Sequence, residues 1–271
     1  MPANENSKDL LSVLWAGADI LRGKMDANEY KNYLLGIVFY KYLSDTFLTH
    51  VYDLLNNEKP ESMAEAQAAY EEVYSTEDAE ELLEDIKESY HYTIEPELTY
   101  TKLAEAASKN AFQREMLKKA FNHVEQSDPI FANLFADVDL YSTRLGSGEQ
   151  KQSATVAEVV KKINEADLLN HEGDVLGDAY EYLIGQFASE TGKKAGEFYT
   201  PQAVSQILTR VAIQGQEDKQ GLLVYDAAMG SGSLLLNARK FSHKPDYIRY
   251  FGQELSTTTY NLARMNMFLH G

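Results

Sequence analysis

Apolar residues recur at helical spacing through the first half of the chain. The segments 8–22 and 27–57 each place apolar side chains every three or four residues, which predicts two amphipathic helices. Asp26 and Glu29 have the spacing of a capping box, so we expect Asp26 to accept a hydrogen bond from the third helical amide. Pro60 is expected to end the second helix, because proline lacks the amide that a helix interior requires.

Helical patterning continues to about residue 140, and nothing in this region alternates convincingly with a period of two. Segment 61–97 holds thirteen acidic residues and one basic residue, with Ala and Leu between them, and predicts an acidic helical hairpin. Its charge has two interpretations: a surface for a basic partner or a mimic of nucleic acid, or a solvated helix face that keeps the protein soluble. Further helices are predicted at 99–108 and 111–126.

The polar, glycine-containing segment 145–149 is the best candidate for a linker between domains. Helical patterning resumes at 155–169 and 174–191, followed by a glycine- and lysine-rich turn at 192–196. We therefore predict two domains, one over residues 1–150 and one over residues 151–271.

From residue 200 onward, helical and strand patterns alternate. Thr200 is predicted as the N-cap of a helix over 201–214, with Pro201 at the first helical position. The side chains expected to face inward from this helix are Val204, Ile207, Leu208 and Val211. The apolar run 222–225 predicts a buried strand, and a second strand is expected near 248–253.

Helices are predicted after both strands, one reaching about Phe241 and one from residue 256 or 257 to His270. Helix–strand alternation of this kind is typical of an open parallel α/β sheet. Two strands cannot bury the faces of such a sheet, so this half of the chain has the pattern of an incomplete domain.

A glycine-bearing turn, Asp226-Ala-Ala-Met-Gly-Ser-Gly-Ser233, connects the first predicted strand to its helix. Gly230 and Gly232 allow a sharp turn and a close approach of the backbone to a ligand. The free amides at the following helix start would point toward that ligand. The pattern predicts a nucleotide-type cofactor site at the carboxyl end of the strand.

Composition narrows the class of protein. The chain has 271 residues, a net charge of −17 and no cysteine, which excludes disulfides and thiolate metal sites and favours a cytoplasmic protein. Six histidines show no H-x-x-x-H spacing, so no metal site is expected. We expect no membrane span and no secretory signal.

The acidic charge lies in the first half of the chain. Residues 1–150 hold 28 acidic and 13 basic residues, whereas residues 151–271 hold 14 and 12. Affinity for DNA comes largely from Lys and Arg that displace counterions from phosphates. The isolated chain is therefore expected to bind DNA poorly.

Three segments together favour S-adenosylmethionine over NAD. Besides the glycine turn, they are Glu254 after the second strand, which can accept ribose hydroxyls, and the helix start within 197–201. A dinucleotide fingerprint requires a third small residue, but Leu235 stands there. Asp226 at the strand end also suits an amino group better than a pyrophosphate. Taken singly, each segment has a plain structural explanation: a tight turn, a solvent-facing charge or a helix start.

The same segments resemble the modification (methyltransferase) subunits of type I restriction–modification systems. The resemblance rests on Glu197-Phe-Tyr-Thr-Pro201, on the glycine turn followed by Leu-Leu, and on Gly252-Gln-Glu-Leu255 with the segment 260–271. Segment 18–36 is similar to the helical N-terminal domain of those subunits. The resemblance covers nearly the whole chain and is weakest over 58–128.

The resemblance implies a fold class and a cofactor site. It implies an α-helical N-terminal domain followed by part of an α/β Rossmann-like domain that binds S-adenosylmethionine. It also implies that the segments 197–202 and 230–233 border the methionine part of the cofactor and that Glu254 holds the ribose. The predicted cofactor-binding residues are Glu197, Phe198, Tyr199, Thr200, Pro201, Gln202, Asp226, Gly230, Ser231, Gly232, Ser233 and Glu254.

Family membership further implies transfer of a methyl group to adenine N6 in DNA. The implied partners are DNA, reached through the assembled complex, a specificity subunit, a restriction subunit and a second modification subunit. The chain departs from the family at two points. Ala227 replaces a common proline, and no Asn-Pro-Pro-aromatic motif is present, because no two prolines are adjacent. Since that motif holds the flipped base, no catalytic residue is assigned and the chain is expected to be inactive alone.

Other functions remain open on the residues alone. A methyltransferase for another acceptor would need no clamp for a flipped base. A non-catalytic assembly or binding module would hold partners and turn nothing over. An NAD-binding protein would bind NADH and show no affinity for S-adenosylmethionine.

Overall fold

The structure is a computed structural model that describes residues 5–168, 175–190 and 200–270. The chain divides into two compact units, Met1–His171 and Glu172–Gly271. The first unit is helical and the second contains a parallel sheet, which confirms the predicted fold class. Within the described ranges, no helix combines the length and the apolarity that a membrane span needs.

The first unit consists of α-helices joined by short connections. Their bounds are α1 Glu5–Arg22, α2 Ala27–Asn56, α3 Met63–Tyr74, α4 Ala79–Tyr90, α5 Tyr100–Ser108, α6 Arg114–Ser127 and α7 Glu149–Asn164. Single 3-10 turns, Pro96–Leu98 and Pro129–Phe131, begin at prolines. The predicted bounds 8–22, 27–57, 99–108 and 111–126 agree with the structure to within about three residues. The helix predicted over 155–169 is wrong in its bounds, because α7 already begins at Glu149 and ends at Asn164.

Helix α2 is the centre of this unit and is buried along most of its length. The rings of Phe121 and Phe135 stack with centroids 4.1 Å apart, and Tyr40 of α2 meets Phe121 edge-on at 5.4 Å. The Tyr40 hydroxyl donates to the carbonyl oxygen of Leu98 at 2.7 Å. Burial of this ring raises the pKa of Tyr40 far above its ordinary value. The core of this unit is therefore aromatic, and the buried hydroxyl of Tyr40 has a hydrogen-bond acceptor.

The ends of α2 show how local sequence fixes the helix. Asp26 is the N-cap as predicted, but its carboxylate accepts from the amide of Asn28 at 3.0 Å, the second helical amide and not the third. Glu29 does not close a capping box, because its carboxylate pairs with Arg144. At the other end Asn57 adopts a left-handed conformation with φ 56°, which ends the helix before Pro60 is reached.

The acidic segment 61–97 forms two helices, α3 and α4, but they do not pack along each other as a hairpin, and each contacts α2 instead. Tyr70 of α3 is fully buried and meets Phe47 of α2 edge-on at 5.1 Å. In α4 the buried residue is Ile86, and the acidic residues around it face outward. Each of these two helices is therefore held to the core by a few apolar side chains.

The segment 145–149 is not the free linker that its composition indicates. Leu145 is fully buried, and the Thr155 hydroxyl donates to its carbonyl oxygen at 2.8 Å. Helix α7 begins at Glu149 and packs against α1 and α5. Because α7 belongs to the helical core, the units divide between His171 and Glu172 and not at residue 150.

The second unit pairs two short strands with four helices in its described part. The elements are α8 Val175–Glu190, α9 Gln202–Ile213, β1 Leu223–Asp226, α10 Ser233–Phe241, β2 Arg249–Gly252 and α11 Thr257–Leu269. The strands are parallel, with Leu223 opposite Arg249 and Asp226 opposite Gly252. The carboxyl ends of both strands therefore lie at the same edge of the sheet.

One face of this sheet is covered and the other is exposed. Ile213 of α9 and Ala238 of α10 pack on Leu222 and Ile248, the residues directly before β1 and β2. On the opposite face the exposed large side chains are Leu223, Tyr225 and Phe251, at 64%, 62% and 51%. The prediction that the whole run 222–225 is buried is wrong, because α9 and α10 flank one face only.

The predicted inward face of α9 is also wrong. Val204, Ile207, Leu208 and Val211 are exposed, and the residues that face α10 are Ser205, Thr209 and Ile213. The Thr209 hydroxyl donates to the carbonyl oxygen of Leu234 in α10 at 3.2 Å. Small polar side chains that bond to the neighbouring helix therefore override the apolar periodicity of α9.

Candidate functional site

The glycine turn after β1 is bonded to the chain that leaves β2. The amide of Met229 donates to the carbonyl oxygen of Gln253 at 3.0 Å, and the amide of Gln253 donates to that of Asp226 at 2.9 Å. Gly230 and Gly232 have φ values of 55° and 84°, in the left-handed region that favours glycine. The turn is therefore fixed to the carboxyl edge of the sheet.

Glu254 lies against this turn, as the sequence predicts for a shared ligand site. Its Oε2 accepts from the amide of Gly230 at 3.2 Å, and its Oε1 accepts from the amide of Ser256 at 2.9 Å. Each oxygen keeps a second lone pair beyond these bonds. The carboxylate is therefore oriented by backbone groups and can accept further donors.

Asp226, at the end of β1, has one oxygen bonded and one without a partner. Its Oδ1 accepts from the amide of Ala228 at 2.9 Å. Its Oδ2 is covered from solvent and has no hydrogen-bond partner in the part of the chain that the structure describes. A covered carboxylate oxygen without a donor is costly, so this atom is a candidate acceptor for a ligand group.

Side chains of helix α11 contact the glycine turn at Ser231 and Gly232. Asn266, fully buried, donates from its Nδ2 to the carbonyl oxygen of Ser231 at 3.0 Å. A Cβ atom on Gly232 would lie 2.8 Å from the Cε of Met267, so a side chain there would press on α11. The hydroxyls of Ser231 and Ser233 lie 3.2 Å apart and are both buried. Gly232 caps α10 without a side-chain hydrogen bond, which leaves the helix-start amides to other acceptors.

Part of the third predicted segment is described. Glu197, Phe198 and Tyr199 lie outside the described residues. Thr200 is not the N-cap, because α9 begins at Gln202 and the cap is Pro201, whose ψ of 134° is extended. The first-turn amides of Val204 and Ser205 both donate to the Pro201 carbonyl oxygen, at 2.9 and 3.0 Å.

The side chain of Gln202 is engaged within the protein. Its Nε2 donates to Glu181 Oε2 at 2.5 Å, and its Oε1 accepts from Asn237 Nδ2 at 3.1 Å. Asn237 also donates to the hydroxyl of Ser205 at 2.6 Å. Sequence reasoning missed Glu181, Asn237 and Ser205. The available signal was one glutamate among the apolar side chains of α8.

Two family models match the chain along almost its whole length. The model described as HsdM N-terminal domain matches residues 10–163, more than half of the chain. The model described as N-6 DNA Methylase matches residues 171–271. The first match falls in the helical unit, and the second contains the sheet and the glycine turn.

Relatives and a solved structure agree with these matches. The chain is 34% identical over 274 residues to the type I restriction enzyme MpnII methylase subunit of Mycoplasma pneumoniae, covering 95% of this chain and 49% of the relative. It is 30% identical to the MjaVIII methylase subunit of Methanocaldococcus jannaschii, covering 98% of this chain and 41% of the relative. The chain thus spans about half the length of the curated relatives it matches.

The solved structure is the type I restriction-modification system methyltransferase subunit from Streptococcus thermophilus. It shares 55% sequence identity and a TM-score of 0.93, with 98% of this chain and 56% of that chain covered. A likeness of this extent includes both the helical unit and the unit with the glycine turn. The chain therefore belongs to the family of type I restriction–modification methyltransferase subunits.

Proposed function

We propose that this chain holds S-adenosylmethionine for the methylation of adenine N6 in DNA by a type I restriction–modification complex. The observation that carries the proposal is the bond between Glu254, from the end of β2, and the amide of Gly230 in the turn after β1. It brings together a glycine turn and a ribose-type acceptor at one edge of a parallel sheet. The match to the N-6 DNA Methylase model supports the acceptor.

The groups at this edge complement those of S-adenosylmethionine. Asp226 Oδ2 lacks a donor and suits the amino group of the methionine part. The uncapped start of α10 suits its carboxylate, and Glu254 suits the ribose hydroxyls. When bound, S-adenosylmethionine supplies a methyl group on a positively charged sulfur. The residues of this chain orient that cofactor.

Packing behind the turn favours this cofactor over NAD. Leu235 occupies the position of the third fingerprint glycine and is 2% exposed. A Cβ on Gly252 would lie 3.2 Å from Leu235 Cδ1 and only 2.1 Å from Met229 Sδ, so the glycine of β2 accommodates these larger side chains. The close helix–strand approach of a dinucleotide site is replaced by side-chain packing.

DNA, the specificity subunit, the restriction subunit and a second modification subunit are the proposed partners. A net charge of −17 disfavours direct contact with phosphates, so we place DNA binding at the level of the assembled complex. The Asn-Pro-Pro-aromatic clamp is absent from these residues, so the proposed role of this chain is to hold the methyl donor. We also propose a cytoplasmic location, since the proposed acceptor is DNA.

Calorimetric titration tests the cofactor assignment. The chain is expected to bind S-adenosylmethionine and not NADH. Glu254→Gln is expected to weaken binding about tenfold, because a charge-assisted acceptor of ribose hydroxyls is lost. Glu217→Gln is the matched control, since Glu217 lies in the loop before β1, at the other end of the strand from the turn. Binding of NADH in place of S-adenosylmethionine would contradict the assignment.

A transfer assay tests the acceptor. The test protein is this chain fused to the part of a relative's sequence that lies beyond the matched region, combined with the specificity subunit. It is expected to transfer labelled methyl groups to adenine in DNA. Labelled cytosine, or label on protein only, would refute the proposed acceptor while leaving the cofactor assignment intact.

A further inference from the structure

Helix α8 carries one charged side chain among its buried residues. Its inward positions are otherwise glycine, alanine or large apolar residues, yet Glu181 is only 3% exposed. A carboxylate taken out of water needs hydrogen-bond donors or a cation to offset its lost hydration. Within the described residues, Gln202 donates to its Oε2, while its Oε1 is buried without a hydrogen-bond partner.

Glu181 is the first acceptor in a directional chain of hydrogen bonds. It accepts from Gln202 Nε2, Gln202 Oε1 accepts from Asn237 Nδ2, and Asn237 Nδ2 also donates to Ser205 Oγ. Lys240 Nζ lies 3.8 Å from the same carboxylate oxygen, while it bonds Asp178 at 2.5 Å. A carboxylate only accepts hydrogen bonds, so the Gln202 side chain must turn its Nε2 toward Glu181 and its Oε1 toward Asn237.

This series of hydrogen bonds connects the two sides of the candidate cofactor site. Gln202 is the first residue of α9 and follows Thr200 and Pro201 directly. Asn237 is in α10, which starts at Ser233 immediately after the glycine turn. Asn237 and Ser205 are 1% and 0% exposed, so these bonds are shielded from water and fix the helices closely.

We propose that Glu181 is a positioning residue for the S-adenosylmethionine site, acting through Gln202. The carboxylate fixes the first turn of α9 on α10 and thereby sets where Thr200 and Pro201 stand relative to the glycine turn. Gln202 then belongs to the support of the site, since both ends of its amide are already bonded. This inference rests on the proposed function, because it concerns the same cofactor.

Exchange of the two side chains tests the inference. Gln202→Glu alone sets two carboxylates against each other and is expected to weaken S-adenosylmethionine binding about tenfold or more, measured by calorimetry. The double variant Glu181→Gln with Gln202→Glu reverses the first bond and still accepts from Asn237. It is expected to restore binding to within about threefold of the unaltered chain.

Two further variants complete the test. Gln206→Glu makes the same chemical change at an exposed position one turn along α9, and it is expected to leave the dissociation constant unchanged. Gln202→Met keeps the length of the side chain without either hydrogen bond. If Gln202→Glu fails to fold, Gln202→Met carries the test, with an expected loss of about fivefold.

The outcomes separate this inference from the proposed function. Loss in Gln202→Glu without recovery in the double variant overturns it, because a direct cofactor ligand behaves in that way. Unchanged binding by Gln202→Met overturns it as well. Absence of binding by the unaltered chain overturns both the inference and the proposed function, whereas binding that ignores these substitutions overturns the inference alone.

Discussion

The two units of this chain bury their apolar side chains to very different extents. In the helical unit, α2 has eighteen buried residues among its thirty, and neighbouring helices contact it along its length. In the α/β unit, one sheet face and the apolar face of α9 are exposed. An apolar periodicity thus predicts burial only where other elements are present to cover it. In the α/β unit, polar bonds between α9 and α10 add to a small apolar cluster.

The largest expected effect lies in the aromatic core of the helical unit. Phe121→Ala removes a ring that stacks on Phe135 and meets Tyr40, and it should cost about 3–5 kcal/mol. Urea unfolding followed by fluorescence measures this, because Trp15 is the single tryptophan and reports on this unit. Ile207→Ala on the exposed face of α9 should change stability by no more than about 0.5 kcal/mol, read from hydrogen exchange. Equal costs would refute the contrast between the units.

A buried ion pair in α2 gives the next largest effect. Lys41 and Asp45 pair with each other, and both are about 4% exposed at their side chains. Lys41→Met leaves Asp45 unpaired and should cost about 3 kcal/mol, whereas Lys41→Met with Asp45→Leu should be nearly neutral. The Trp15 signal measures both variants. A double variant as unstable as the single one would show that the pair itself is needed.

The same variant has a defined pH dependence. Burial raises the pKa of Asp45, and Lys41 opposes this rise. Without Lys41, the folded carboxyl should have a still higher pKa and bind a proton more readily than the unfolded one. Stability of Lys41→Met should therefore improve as pH falls toward 5, relative to the unaltered chain. A penalty that is constant or grows on acidification would contradict this.

A smaller effect is expected at the glycine turn. Gly232→Ala forces a side chain onto a φ of 84° and places its Cβ 2.8 Å from Met267 Cε, at a cost of about 1–2 kcal/mol. Gly215→Ala is the matched control, since its φ is 77° and no atom lies within 4 Å of the added carbon. Exchange rates of the β1 and β2 amides measure both. Equal effects would show that contact with α11 contributes nothing.

The smallest effect concerns surface carboxylates of the helical unit. Hydrogen bonds from Tyr52 and from the amide of Glu61 lower the pKa of Glu65, and Lys102 and Gln67 lower that of Glu71. Because these folded pKa values lie below the unfolded ones, the stability they contribute is present near neutral pH. It is lost as pH falls below the ordinary glutamate value of about 4.3.

Glu65→Gln with Glu71→Gln should flatten this acid response. The urea midpoint of the Trp15 signal, compared at pH 6 and pH 4, measures the change. An unchanged difference between the two pH values would assign the acid response to other groups.

The sequence was sufficient for the parts of the fold that depend on local chemistry. Asp26 marked the start of α2, and Gly230 and Gly232 marked the turn between β1 and α10. The position of Glu254 beside that turn followed from the geometry of parallel strands, since their carboxyl ends share an edge. These signals are short-range or depend on one topological rule.

Other features depend on which elements pack together, and the sequence could not supply that. Leu145 is buried although its neighbours are polar and flexible in composition, so the predicted linker and boundary were misplaced. The inward face of α9 was inverted because Ser205 and Thr209 bond to α10. Glu181 gave no short-range signal of its contact with Gln202, which lies 21 residues away.

Amide hydrogen exchange with and without S-adenosylmethionine tests the central claim, that the cofactor lies on the glycine turn. With excess cofactor, slower exchange is expected at 228–233 and 254–256, the loops at the carboxyl ends of β1 and β2. The helical unit should exchange at unchanged rates and serves as the internal control. Protection confined to the helical unit, or none at either loop, would contradict the account.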